Sequence, residues 1–316
     1  MNRDTVATRA MGSTGIRPTV VGIGTSALGS MPESYGYTID AAEAAQALDH
    51  LLDGPFTFLD TGANYGEGRS EERIGAALAR GRGAAITIAT KVDGDVESGR
   101  FDGSQVFRST EESLRRLGVV RVPLLHLHDP EHIGFDASMA PGGPVMALIR
   151  LRDEGVAGSI GVAGGSATLL RRFVETGVFD VVQTHNRFTL LDRTSESLIT
   201  VAGELGLGVI NAAPYGGGLL ADNSGRIESY GYRPLSAALT HARDAMRAAC
   251  ARFGVPLAAA ALQFSTRDPR IHTTIVGMSR PGRASATREL LDTPIPDELW
   301  SELNNLTPPQ AEWRND

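Results

Sequence analysis

FLDTGANYGEGRSEERIGAAL, residues 58–78, holds one complete unit of a repeating design. A greasy run stops abruptly at Asp60, and Tyr65 follows in a glycine-rich turn. Apolar residues then recur at helical spacing, which predicts a helix over 70–81 that opens with Ser-x-x-Arg rather than a full capping box. A strand-length run handing over to an amphipathic helix is a β–loop–α unit. Two questions follow: how often the unit recurs, and why an acid and a phenol stand together at the lip of a buried strand.

The unit recurs along the whole chain. Strand-length runs rich in Val, Ile and Thr are TVVGIG (19–24), FTFLD (56–60), AITIATK (85–91) and VPLLHLH (122–128). GSIGVAG (158–164), DVVQTH (180–185), LGVINAA (207–213) and HTTIVGM (272–278) complete a set of eight. Helical patterns lie between them at 41–53, 70–81, 104–118, 142–155 and 166–177, and near 194–206, 235–253 and 257–267. Gly118, Gly155 and Gly177 sit where a helix C-terminus favours glycine. Alternating β and α units imply parallel strands joined by right-handed crossovers. Eight of them predict an α/β fold, a closed (β/α)8 TIM barrel, with residues 1–316 as a single domain. The alternative is an open doubly wound sheet. Against it, GIGTSALG lacks the G-x-G-x-x-G spacing and does not lead directly into a helix.

A net charge of −7 gives no cationic field, which argues against nucleic acid and anionic membranes as partners. No apolar run approaches the ~20 residues of a membrane helix. MNRDTVATRAMGSTG lacks the apolar core of a secretory signal, so a cytoplasmic location is expected. The single cysteine, Cys250, excludes an internal disulfide and a Cys-based zinc cluster, and reads as a core filler. No metal is expected, and the sequence sets no oligomeric state.

Active sites of such barrels lie at the C-terminal ends of the strands. The second run ends in Asp60 with Tyr65 in the following loop, the third in Lys91 and the fourth in His128. Neighbouring strands lie about 4.8 Å apart, so the four groups share one small volume. Taken singly, the Asp reads as a turn or cap, the Lys as emerging into solvent and the Tyr as packing. Four such groups on three consecutive strands at one end read as a site. A phenol titrates near pH 10. A nearby Lys ammonium is expected to lower that value, with Asp60 holding Lys91 and His128 orienting a substrate oxygen. That is a proton-handling device suited to hydride transfer. His126, two residues before His128 on the same strand face, reads as a buried, hydrogen-bonded layer residue.

LDTGANYGEGRSEERIG (59–75), ATKV (89–92), LHLHDP (125–130), SIGVAGG (159–165) and TIVGMSRPGR (274–283) together resemble the aldo-keto reductases over nearly the whole chain. The resemblance implies a (β/α)8 barrel, a nicotinamide cofactor bound without a Rossmann fold, and a catalytic tetrad of Asp60, Tyr65, Lys91 and His128. It places Gly24 and Thr25 near the nicotinamide and Gln183 on its carboxamide. Asn211, Ala212, Ala213, Pro214 and Tyr215 line the cofactor, with Gly277, Met278, Ser279 and Arg283 at its adenosine end. Three positions depart from the pattern. Ala163-Gly164 stand where Ser-Asn is usual, and Ala212 where an aromatic stacks on the nicotinamide, with Tyr215 as a candidate replacement. Gly277-Met278 stand where Lys-Ser grips a 2′-phosphate. Arg280, Arg283 and Arg288 remain nearby, so both NADP and NAD stay open as cofactor.

Asn64, Asp129 and His185 are the expected substrate contacts, with Asn186 and Arg187 adding polar groups nearby. Such a rim suits a polyhydroxylated small molecule. HLHDPEH, GVAGG, NAAPYGGGLL and VGMS resemble the aldose 1-dehydrogenase branch, which includes L-fucose, D-threo-aldose and L-galactose dehydrogenases, with pyridoxal 4-dehydrogenase close by. The resemblance implies oxidation of an aldose at C1, from cyclic hemiacetal to lactone, with Tyr65 as acid/base. Two alternatives remain: an NADPH-dependent reductase of small aldehydes or ketones, and a cofactor-binding regulatory subunit. A phosphate-handling isomerase barrel leaves the Tyr–Lys–His set unexplained.

Overall fold

The computed structural model describes residues 6–231 and 233–314. Residues 1–5 of the stretch read above as lacking a signal, and the last two residues of the domain assigned to 1–316, lie outside them. Eight parallel strands run β1 Val21–Gly24, β2 Phe58–Asp60, β3 Thr87–Val92, β4 Val122–His128, β5 Ala157–Gly164, β6 Val181–His185, β7 Gly208–Ala212 and β8 Thr273–Gly277. They close in the order β1-β8-β7-β6-β5-β4-β3-β2, so the fold is the TIM barrel and not the open sheet.

Besides two short helices at Pro32–Tyr35 and Gly134–Met139, the helices are α1 Ala41–Leu52, α2 Arg69–Ala79, α3 Gly103–Leu117, α4 Pro144–Asp153, α5 Ala167–Val174 and α6 Glu196–Glu204. They continue with α7 Ala237–Arg252, α8 Leu257–Thr266, α9 Arg283–Asp292 and α10 Asp297–Asn305. The last two, and a two-stranded ribbon at Ser229–Tyr230 and Arg233–Pro234, add to the expected elements. α2 starts one residue earlier than Ser70, on an uncapped Gly68. Ser70 does not cap the helix because its hydroxyl bonds Thr25 and Thr61, tying the helix start to the strand ends.

Strand alternation sorts side chains between two cores. Phe58, Ala89, Leu124, Val181, Ile210 and Ile275 fill the barrel with Met11, while their strand neighbours join the larger core beneath the helices. Met11 comes from an N-terminal hairpin bridged at Thr8 and Thr19, which stops the barrel at the strands' N-terminal end. A β-carbon on Gly208, the first residue of β7, would lie 2.4 Å from Met11 Cγ. Gly75 serves a similar close approach, since a β-carbon there would sit 2.0 Å from the Arg116 carbonyl oxygen of α3. Cys250 is buried in the core, and burial pushes its thiol up to about 11, as suits an unreactive filler. Among the described residues no single helix is long and apolar enough to cross a membrane.

Candidate active site

The strand register brings the four expected groups to one mouth of the barrel. Gly24 pairs with Asp60, Asp60 with Ala89 and Lys91 with His126. Lys91 and Asp60 form a buried ion pair, 1% and 3% exposed. Lys91 Nζ donates to Asp60 Oδ1 and Oδ2, each at 2.8 Å, and to the Thr61 carbonyl at 2.6 Å. An ammonium has three protons, and these three bonds use them all. Tyr65 leans over the pair, with Nζ 4.7 Å from its ring centroid. The His128 ring meets the Tyr65 ring edge-on, centroids 5.8 Å apart.

The phenol does not behave as the sequence reading expects. Burial holds the Tyr65 pKa well above its ordinary value, and the Asp60, Asp93 and Asp129 carboxylates add to the rise. Asp60 absorbs the ammonium that was expected to lower it. Tyr65 is therefore a protonated donor in the free enzyme near neutral pH.

His128 has a partner that the sequence reading missed. Its Nδ1 donates to Asp93 Oδ1 at 2.6 Å, and Asp93 Oδ2 accepts the Asn64 backbone N–H at 3.0 Å. Asp129, in a left-handed backbone conformation, brings Oδ2 to 3.7 Å from His128 Nε2. Burial lowers the His128 pKa, but Asp93 and Asp129 outweigh it and the net shift is upward. The available signal was an acid two residues past Lys91, just beyond the end of the strand that pairs with the one carrying His128. His126 corrects another expectation. It is fully buried beneath the mouth, yet neither ring nitrogen has a hydrogen-bond partner among the described residues. Burial, Lys91 and His128 hold its pKa well below the ordinary value, so it stays neutral.

The expected cofactor residues divide. Gln183 faces the mouth with a buried Oε1 that has no partner among the described residues. Gly277 offers bare backbone at the end of β8, with nothing within 4 Å of a β-carbon position, whereas a β-carbon on Gly24 would lie 2.9 Å from Ile275 Cγ2, so that glycine lets β1 and β8 pack closely. Ala212 and Ala213 are half-buried at the end of β7, Ala213 with a positive φ of 57°, and Pro214 is buried behind them. Ser279 meets the Tyr37 hydroxyl at 3.2 Å across the loops after β1 and β8, with Arg280 over the Tyr37 ring. Arg283, at the start of α9, is exposed.

Four of those side chains are committed elsewhere. Thr25 Oγ1 donates to the Asp60 carbonyl at 2.9 Å and accepts from Ser70, so it is spent inside the fold. Asn211, between inward-facing Ile210 and Ala212, points outward and bonds the Phe188 carbonyl and Ser265. Met278 is fully buried in the outer core. Tyr215 also packs into that core, leaving Ala212 without an aromatic substitute. Its hydroxyl has no partner among the described residues, and burial pushes it up to about 12.

Gly164 has a local reason. Glu131 reaches across to accept the Gly165 and Ser166 N–H groups, each at 2.6 Å, at the start of α5. A β-carbon on Gly164 would lie 2.7 Å from that carboxylate, so Glu131 occupies the room an Asn would need. Of the expected substrate contacts, Asn64 is exposed at the rim and Asp129 lies beside His128. His185 ends β6, with burial holding its pKa below the ordinary value against the opposing pull of Asp129. Asn186 and Arg187 are buried behind it.

Residues 20–307 match the Aldo/keto reductase family. The chain belongs to it. It is 30% identical to D-threo-aldose 1-dehydrogenase of a Pseudomonas species, over 93% of this chain and 97% of the relative. L-Galactose dehydrogenase of Arabidopsis thaliana is 32% identical, over 95% and 94%. Pyridoxal 4-dehydrogenase of Microbacterium luteolum is 27% identical, over 94% and 96%. The fold matches the holo form of an aldo-keto reductase from Bacillus halodurans, with TM-score 0.78, 23% identity and 98% of both chains covered. This aldo/keto reductase is thus an NAD(P)-dependent oxidoreductase.

Proposed function

We propose that this enzyme oxidises C1 of an aldose, taking the cyclic hemiacetal to a lactone, with Tyr65 as the acid/base. The observation that carries the reading is one barrel mouth that sets Tyr65 above the Lys91–Asp60 pair. Beside it stands a polar rim of His128, Asp129, His185 and Asn64. Relatives named for aldose substrates support the choice of a sugar.

The residues fit a nicotinamide cofactor. The unpartnered Gln183 Oε1 matches a carboxamide N–H, the bare backbone at Gly277 leaves room at the end of β8, and the exposed Arg283 heads α9 where an anionic group gains from the helix. A nicotinamide held there would supply the hydride acceptor that oxidation at C1 needs. His128 Nε2 orients the C1 oxygen, and the proton of that hydroxyl passes to Tyr65. Asp60 fixes Lys91 beneath the phenol, and Lys91 provides its charge without a direct hydrogen bond. Because the phenol pKa is raised, oxidation draws on a small phenolate fraction and its rate climbs toward alkaline pH.

The raised phenol favours a second reading, reduction of a polar aldehyde or ketone, in which Tyr65 donates its proton. Initial rates with NAD or NADP and L-fucose, D-arabinose, L-galactose, D-glucose or pyridoxal decide between them. Turnover of one sugar with one cofactor supports the dehydrogenase. Silence across that panel, with NADPH-driven reduction of simple aldehydes, replaces it with the reductase.

A further inference from the structure

We propose that Asp93 is a positioning residue of this active site: its carboxylate keeps the proton on His128 Nδ1, so that Nε2 is the ring atom turned to the substrate. The proposal rests on the reading of His128 as the group that orients the C1 oxygen.

A carboxylate only accepts, so the 2.6 Å contact requires the proton on Nδ1. In the neutral ring Nε2 is then a lone pair able to accept a substrate hydroxyl; in the cation it is a donor to a carbonyl oxygen. Asp93 is itself fixed. It is 6% exposed, and its second oxygen takes the Asn64 N–H at the start of the Tyr65 turn. Gln105 Nε2 donates to the Asp93 carbonyl at 3.0 Å and secures the backbone from α3. One carboxylate therefore sets the imidazole and anchors the loop that carries the phenol.

His128 faces several charged or titratable groups. Asp93 follows β3, Asp129 is the next residue, and Lys91 on β3 opposes protonation. His126 lies beneath on β4, His185 at the end of β6, and Tyr65 on the loop after β2. Asp129 stands 3.7 Å from Nε2 and is 38% exposed, so it contributes charge but does not fix the tautomer. Asp93 does both.

The two roles separate experimentally. Asp93→Asn removes the charge and leaves one amide oxygen for two donors, Nδ1 and the Asn64 N–H, whereas Asp93→Ala removes both acceptors. Asp129→Asn removes a neighbouring charge and leaves the Nδ1 bond. The readout is the long-range 1H–15N spectrum of the imidazole rings, with His128 assigned by its loss in His128→Asn, alongside kcat against pH. Wild type should show His128 as the Nδ1–H tautomer above its pKa. Asp93→Asn should lower that pKa by about one unit or more, and move the acid limb of the rate profile by the same amount. Asp129→Asn should lower the pKa less, and Asp93→Ala should mix the tautomers. A wild-type ring protonated on Nε2 overturns the proposal even if no Asp93 variant folds. So does an Asp93→Asn protein that loses rate equally at every pH while His128 titrates unchanged, the mark of a loop-anchoring role alone. If the His128 titration moves and the rate profile stays still, the pair exists but the catalytic reading of His128 fails.

Discussion

Asp60→Asn isolates the cost of leaving the Lys91 ammonium buried without its counter-charge. The pair is almost wholly enclosed, and all three ammonium protons are committed, two of them to Asp60. Removing one partner of such a pair costs about 3–5 kcal/mol, because the surviving charge has lost both water and its counter-ion. Unfolding entropy for a chain of 316 residues is about 0.7 kcal/mol/K. The melting temperature should therefore fall by roughly 5–8 °C in calorimetry at pH 7. The deficit carries a pH signature. An unpaired buried Lys has a folded-state pKa below its unfolded value of about 10.4, so the unfolded chain binds the extra proton between the two. Stability of the variant relative to wild type should then recover as pH rises toward that value. Adding Lys91→Met removes the stranded charge, and the double variant should regain at least half of the loss. A single-variant loss below about 2 °C, or a double variant as unstable as the single, would show that the ammonium reaches water or another anion and that the burial argument is wrong.

Tyr65→Phe should lower kcat at least about 100-fold while cofactor affinity, read by fluorescence titration, stays within a factor of about two; a variant keeping a tenth of the rate removes Tyr65 as the acid/base. Gly75→Ala should lose roughly 1–3 kcal/mol, since its methyl would meet the Arg116 carbonyl at 2.0 Å and backbone has no rotamer to swing aside. An unchanged melting temperature there means that α2 and α3 separate freely. His126 is held neutral, with a folded pKa below its unfolded value, so its contribution is intact above about pH 6.5 and is lost as pH falls. His126→Leu should therefore shrink the drop in melting temperature between pH 8 and pH 5, even though His128, shifted upward, pulls the other way in both proteins; an equal drop would place a proton acceptor or water beside the ring.

Local chemistry made most of the fold readable. VPLLHLH marks β4 from end to end because a barrel strand, covered on both faces, is apolar nearly throughout. The polar residues that interrupt such strands near their ends are the ones that reach the mouth, which is how Asp60, Lys91 and His128 stood out; Gln183 came only from the family resemblance. Alternation also held information left unused. With Ile210 and Ala212 facing inward, Asn211 had to face the helices, and its bonds to Phe188 and Ser265 follow. Contacts between distant segments left no local trace. Met11 closes a barrel whose β7 lies about 200 residues away, and Glu131 shapes the backbone at Gly164 from the preceding βα loop.

The sign of the Tyr65 shift shows the same limit in electrostatic form. Sequence supplies the residue types near the phenol, and an ammonium among them suggests a lowered pKa. The outcome depends on which charges are already paired. Lys91 turns all its protons to Asp60 and Thr61, so the phenol meets an ion pair whose field falls off faster than that of a lone cation. Asp93 pairs with His128 through Nδ1, and half-exposed Asp129 stands beside Nε2. Two cations at most thus face three carboxylates around one half-buried tyrosine. Desolvation and the surplus negative charge act in the same direction, and Tyr65 keeps its proton. Residue types alone therefore place Tyr65 among charges; that it keeps its proton follows from burial first, then from Asp60, with Asp93 and Asp129, two acids the residue pattern did not single out as its neighbours, adding to the same side.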